Sequence, residues 1–200
     1  MKKKVENIIL LVIGIIFLLL GIGAIVNNLY QSDLVPILWL CYIGMILIGI
    51  GILTRNSLLV VSQLNIMAIP SIFWSVDFLY GIFNQGTTLF GIVDYYFVSE
   101  PLIGKIISSQ HIFTLPLSLF ALYLIKVKRS DIWKISFIQL IIVYIFTRLV
   151  TDPERNVNCV FKPCANFIPE TGYLITWFVL VFLLVYITNF LINRMKFLYK

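Results

Sequence analysis

The chain has 200 residues, 60% of them hydrophobic and only 12% charged, with a net charge of +6 and a mean hydropathy of +1.01. A water-soluble domain carries about a quarter charged residues, so this chain lacks the polar surface to cover a soluble globule, and the bilayer must solvate most of its side chains. The basic residues fall at the ends of apolar runs, which makes the positive charge a topology signal rather than a nucleic-acid footprint, and no nucleic-acid partner is expected.

The first apolar run is Ile8 to Val26, behind Lys2, Lys3 and Lys4. It resembles a secretory signal peptide, but it is long enough to span and lacks an A-x-A cleavage pattern, so it reads as an uncleaved first helix. The second run, Leu34 to Leu53, ends at Thr54, Arg55 and Asn56. The third, Leu58 to about Leu79, is less pure and contains Ser62, Gln63, Asn65, Pro70 and Asp77. The mixed stretch 81–110 follows. Its apolar part, Leu89 to Val98, is too short to span and is expected to lie along the interface or re-enter the bundle, where irregular backbone is tolerable only against protein or water. The fourth run is Ile107 to Ile125, the fifth Ile135 to Thr151 and the sixth Tyr173 to Ile192, with a polar loop from Asp152 to Gly172 before the last. A span needs roughly 20 residues. The fold expected is therefore all-α: a six-transmembrane-helix bundle with an interfacial or re-entrant segment at 81–110, forming a single integral membrane domain over 1–200.

With the N-terminus placed inside, Lys2, Lys3, Lys4, Arg55, Lys126, Lys128, Arg129, Lys134, Arg194, Lys196 and Lys200 fall on the inner side, 11 of the 15 basic residues. Lys105, Arg148, Arg155 and Lys162 fall outside. The asymmetry predicts a cell-membrane protein with both termini cytoplasmic.

Three ionisable residues lie within the spans. Counted along straight helices at ~1.5 Å per residue, His111 and Arg148 reach about 20 Å above the inner boundary and Asp77 about 28 Å. An ionisable residue at such depth usually faces the bundle interior and is a functional candidate by default. The expectation is one pocket toward the outer face, lined by Asp77, His111 and Arg148 and lidded by the Asp152–Gly172 loop. The competing reading is structural: Asp77 and Arg148 lock two helices, or Arg148 snorkels outward. His111, Thr114 and Ser118 share a helix face at i, i+3, i+7, as do Pro70, Trp74, Asp77 and Gly81. Trp74, Thr114 and Asn158 are candidate binding residues around the pocket. Cys159 and Cys164, in a loop placed outside, suggest a short disulfide, with two free thiols as the alternative. Cys41, in the second run, reads as a small buried hydrophobe. Zinc would need more ligands than the chain offers, so no metal is expected, and no nucleotide or cofactor motif is present.

The segments Trp74-Ser75-Val76-Asp77-Phe78, Asp94-Tyr95, His111-Ile112-Phe113-Thr114-Leu115-Pro116 and Asn156-Val157-Asn158-Cys159-Val160-Phe161 resemble a family of small, uncharacterised prokaryotic multi-span membrane proteins. That resemblance implies the architecture and no activity. A remoter similarity, resting on helix number and the lone His111, is to small intramembrane lipid hydrolases and acyltransferases. It implies His111 as general base and a hydroxyl such as Thr114 as nucleophile, with Arg148 on a headgroup phosphate. The leading expectation is a polar pocket that binds membrane lipid. The alternatives are a lipid hydrolase or acyltransferase, a proton- or ion-coupled transporter that uses the charges of Asp77, His111 and Arg148 with Gln63, Asn65, Ser136 and Gln139 as the only candidates for an inner path, and a non-catalytic membrane subunit.

Overall fold

The computed structural model describes residues 2–199. It is all-helical: α1 (Lys2–Tyr30), a 3-10 turn at Val35–Leu38, α2 (Leu40–Leu53), α3 (Ser57–Phe83), α4 (Asp94–Val98), α5 (Leu102–Ser108), α6 (Gln110–Ile125), α7 (Trp133–Val150) and α8 (Tyr173–Arg194), with short 3-10 turns at Val157–Cys159 and Lys196–Leu198. Among the described residues the one β-bridge, Val127 to Tyr199, straps the C-terminal tail to the α6–α7 loop, and no sheet forms.

Five stretches are long and apolar enough to cross a membrane: Lys3–Tyr30, Ser57–Phe83, Leu102–Ile125 (α5 and α6 together), Trp133–Val150 and Tyr173–Arg194. The chain is a multi-pass membrane protein on that composition. The apolar run at 34–53 departs from expectation, because it does not form one long helix. It breaks at Trp39, whose backbone is extended (φ −57°, ψ 125°), leaving α2 with 14 residues, about 21 Å of helix. Asn158, far along the chain, stabilises the break. Its Oδ1 accepts from the Leu40 N–H (2.8 Å) and its Nδ2 donates to the Leu38 carbonyl (2.9 Å). Both backbone groups are otherwise orphaned where a helix starts or stops.

α2 returns antiparallel along α1, and glycine sets their spacing. A Cβ on Gly49 would sit 2.9 Å from the Gly14 carbonyl oxygen, and one on Gly14 would sit 2.7 Å from the Leu53 side chain. Small residues let helix backbones approach in an apolar solvent, where packing rather than water exclusion drives association. α3 is the central helix, packing against α2, α6, α7 and α8.

The bundle has two unlike ends. One, the basic end, gathers the start of α1, the α2–α3 turn, the α6–α7 loop and the C-terminal tail: Arg55 donates to Asn7, Asn193 to the Ser130 carbonyl, and Lys126 to the Phe197 carbonyl. Just inside it α3, α7 and α8 are joined by an amide seam. Gln63 and Gln139 exchange two hydrogen bonds (2.8 and 3.0 Å). Asn65 donates to Ser136 (3.1 Å) and Asn189 (3.3 Å), and Ser136 donates to the Ser62 carbonyl (3.0 Å). The other, the loop end, carries the segments 84–101 and 152–172. Asn156, in the left-handed region (φ 44°), folds the second of these by accepting from the Phe161 and Lys162 N–H groups and donating to the Lys162 carbonyl. Cys159 and Cys164 are bonded, with Cα atoms 5.6 Å apart. Arg155 is ion-paired with Asp33, which ties this loop to the α1–α2 connection.

Candidate functional site

Asp77 is on the last turns of α3 and is fully buried. A buried carboxylate must be compensated, and the expected partner was Arg148. The structure compensates it differently. Oδ1 accepts from the Leu89 and Phe90 N–H groups (2.7 and 2.6 Å) and Oδ2 from those of Ile92 and Val93 (2.8 and 3.1 Å). Successive N–H groups turned inward make an anion-binding concavity, here closed around the protein's own carboxylate. Gly91, at φ +74°, lies between the two donor pairs and supplies a backbone turn that L side chains rarely adopt. The stretch 84–93 thus folds back onto α3, and Thr88 bonding to Asp94 secures its exit. Gly81 makes room for α4, since a Cβ there would meet the Phe97 ring at 2.4 Å.

Arg148 lies on the exposed side of α7. It donates to the Tyr144 hydroxyl at 2.8 Å and its guanidinium lies 4.8 Å from the Phe161 ring centre, a cation–π contact that suits a weakly hydrated guanidinium. Among the described residues no hydrogen bond or ion pair joins any two of Asp77, His111 and Arg148. The shared pocket expected from their common depth is not formed by direct contacts. Depth along a helix does not fix azimuth, and Asp77 finds its partners in backbone.

His111 is half-buried at the start of α6. Its ring stacks on Trp74, with centroids 4.9 Å apart, and Trp74 stacks in turn on Phe78. His111 Nδ1 lies 2.8 Å from the Ser108 carbonyl oxygen. A carbonyl only accepts, so Nδ1 carries a proton, and in the neutral ring Nε2 keeps its lone pair. Trp74 Nε1 donates to the Tyr95 hydroxyl (3.0 Å), which donates to Ser108 Oγ (3.3 Å). Burial pushes the Tyr95 phenol above its ordinary range, partly offset by its hydrogen bonds with Ser108 and Trp74, so it serves here as a neutral hydrogen-bonding hydroxyl.

The hydroxyl expected beside His111 faces elsewhere. Thr114 donates to the Gln110 carbonyl and side-chain oxygens. Gln110, not singled out in the sequence, shares a face with Thr114 and Ser118 at i, i+4, i+8, and all three are fully buried. On α3, Ser75 bonds its own Ser71 carbonyl (2.7 Å) and reaches the His111 carbonyl of α6 (3.4 Å). On α3 and α6, which pack against each other, three buried atoms have no hydrogen-bond partner: Ser71 Oγ, Gln110 Nε2 and Ser118 Oγ.

No protein-family model matches the chain, and no curated protein or solved structure matches it either. The case for function therefore rests on side-chain chemistry. Asn158, a candidate binding residue, spends its amide on Leu38, Leu40 and Thr147. Cys41 is unbonded and half-buried. Among the described residues no three of His, Cys, Asp and Glu cluster as metal ligands.

Proposed function

We propose that this multi-pass protein has six spans with both termini cytoplasmic, and that it binds the polar group of a lipid-class ligand in the α3–α6 seam beside His111. Two observations support the topology. Arg55, Lys126, Lys128 and Arg129 gather at the same end of the bundle as the start of α1 and the end of α8, and the antiparallel return of α2 brings the chain back to that end. α2 then counts as a short span completed by the 3-10 turn before it.

The binding reading is carried by the three orphaned polar atoms of the seam, Ser71 Oγ, Gln110 Nε2 and Ser118 Oγ. Each unsatisfied buried group costs about 1–3 kcal/mol, a burden that a polar guest relieves. A ligand in this seam meets two serine hydroxyls and an amide donor, with the His111 Nε2 lone pair as an acceptor at its mouth. The test is quantitative lipid extraction from purified wild-type protein and from a Gln110→Leu/Ser118→Ala variant. Wild type is expected to carry about one polar lipid per chain in excess of the variant. The variant, relieved of two orphaned groups, is expected to be at least as stable. Equal lipid in the two folded proteins would remove the proposal.

A second reading, a non-catalytic membrane subunit, is favoured by one observation: Asp77 is wholly committed to holding a loop. The other two alternatives gain no such support. Thr114 gives its hydroxyl to Gln110 and not to His111, so no base–nucleophile hydrogen bond supports the hydrolase. Gln63, Asn65, Ser136 and Gln139 do meet, but as amides and hydroxyls that do not titrate, so the inner path adds no proton carrier to Asp77 and His111.

A further inference from the structure

At the basic end a groove of about 420 Å³ opens between the α2–α3 turn and the α6–α7 loop, lined by Thr54, Arg55, Asn56, Ser57, Leu58, Lys128, Arg129 and Ile132. Three of these are cations and none is an acid. The acid nearest in sequence, Asp131, accepts from Arg129 through two 3.1 Å bonds and also faces Lys134 at 3.9 Å, so it neutralises part of Arg129 and leaves Arg55 and Lys128 uncompensated by any ion pair among the described residues. Arg55, in the left-handed region (φ 53°), lines this groove and donates to Asn7 on α1. It also lines the adjoining groove beside Lys3, Asn7 and Leu10. Two chain segments far apart in sequence thus bring like charges to one concave place, which repels itself until an anion enters.

The groove is not purely polar. Leu58 and Ile132 contribute apolar wall, and both belong to the starts of long apolar helices or their approach, where a membrane's headgroup layer meets its hydrocarbon. An anionic group with an apolar body fits such a wall better than a free ion does. We infer that this groove is a headgroup site for an anionic phospholipid, whose phosphate diester is held by Arg55, Lys128 and Arg129 while its glycerol and upper acyl carbons lie against Leu58 and Ile132. The site is separate from the α3–α6 seam and does not depend on what that seam binds.

The test uses the full-length protein in micelles of a neutral detergent with phosphatidylglycerol and excess phosphatidylcholine. Native mass spectrometry counts the phosphatidylglycerol retained. Wild type is expected to hold one such lipid preferentially. Lys128→Gln/Arg129→Gln should lower its occupancy at matched lipid roughly tenfold or more, as for two surface cations near an anionic headgroup. Arg194→Gln/Lys196→Gln, which removes the same charge from the same end, should leave it unchanged, as should Gln110→Leu/Ser118→Ala. Lys128 is exposed, so Lys128→Gln alone provides a variant that folds in any case, with a smaller fall expected. Equal loss in the groove and control variants would reduce the effect to general surface charge and overturn the site. Displacement of the lipid by millimolar glycerol phosphate would overturn the lipid assignment in favour of a soluble phosphate ester.

Discussion

Gln63 and Gln139, near the basic end, satisfy each other through two side-chain hydrogen bonds. Asp77, at the loop end, spends both carboxylate oxygens on four backbone N–H groups of residues 89–93. Asn156 and Asn158 behave like Asp77, each capturing backbone of the 152–172 loop or of the break before α2. The two solutions respond differently to substitution. A side-chain pair can be replaced on both sides by apolar groups, which removes donor and acceptor together. A backbone capture cannot, because the amide stays in the chain when its acceptor is lost, and an unpaired buried amide carries its full desolvation cost. The Gln63–Gln139 pair is therefore built to join regular helices and to tolerate paired change. The Asp77, Asn156 and Asn158 captures hold irregular chain, and no paired apolar replacement can stand in for them.

Substitutions at the two ends should separate accordingly. The largest effect is expected for Asp77→Ala, which strips four N–H groups of their acceptor and should cost about 3 kcal/mol or more. Limited proteolysis should then open the chain between 84 and 93 while the helices persist. Asp77→Asn should fall between, since its one oxygen keeps one donor pair. Asp77→Ala with unchanged thermal stability and unchanged cleavage would erase the contrast. Asn158→Leu comes next. It frees the Leu38 carbonyl and Leu40 N–H, and should cost about 2 kcal/mol with faster hydrogen exchange at Leu40. Replacing both Cys159 and Cys164 by Ser removes a bridge between positions five apart, and chain entropy puts that at about 2 kcal/mol or less. Its damage should be confined to the 152–172 loop, as read by thiol-independent protease mapping. The smallest effect is at the seam. Gln63→Leu or Gln139→Leu alone should each cost about 1 kcal/mol, and the double variant should recover most of that loss, with a coupling energy of about 0.6–1.7 kcal/mol in a double-mutant cycle. Additive losses would show that the two amides do not act as a pair.

Much of this was readable in advance, and what was not has a physical reason. The apolar runs at 8–26, 58–79, 107–125, 135–151 and 173–192 match long helical stretches of the structure, the run at 135–151 overrunning its helix by one residue, Thr151. The run at 34–53 looked the same, but its break at Trp39 is stabilised by Asn158, 118 residues from Leu40, and local hydropathy carries no trace of so distant a partner. Gln63, Asn65, Ser136 and Gln139 stood out as polar residues in apolar runs, and side chains that need partners are visible as such. The Asp77–Arg148 pairing misled because a buried carboxylate was assumed to need a cation. Backbone N–H groups serve equally and are invisible in residue identity, though Gly86 before the donor segment and Gly91 within it are a usable sign. Gln110 was legible from its spacing with Thr114 and Ser118 and was passed over for its neighbour His111. Gly14 and Gly49 were equally legible as small residues in apolar helices, and only the α1–α2 approach gives them meaning.

The central claim is that the α3–α6 seam holds a polar guest. An experimental density map of the protein in a lipid bilayer tests it most directly. The account predicts ordered density within hydrogen-bond distance of Gln110 Nε2 and of at least one of Ser71 Oγ and Ser118 Oγ, continuous with a headgroup near the His111 ring. A seam without density, in which Gln110 and the two serines turn to bond each other or the helix carbonyls, would contradict it.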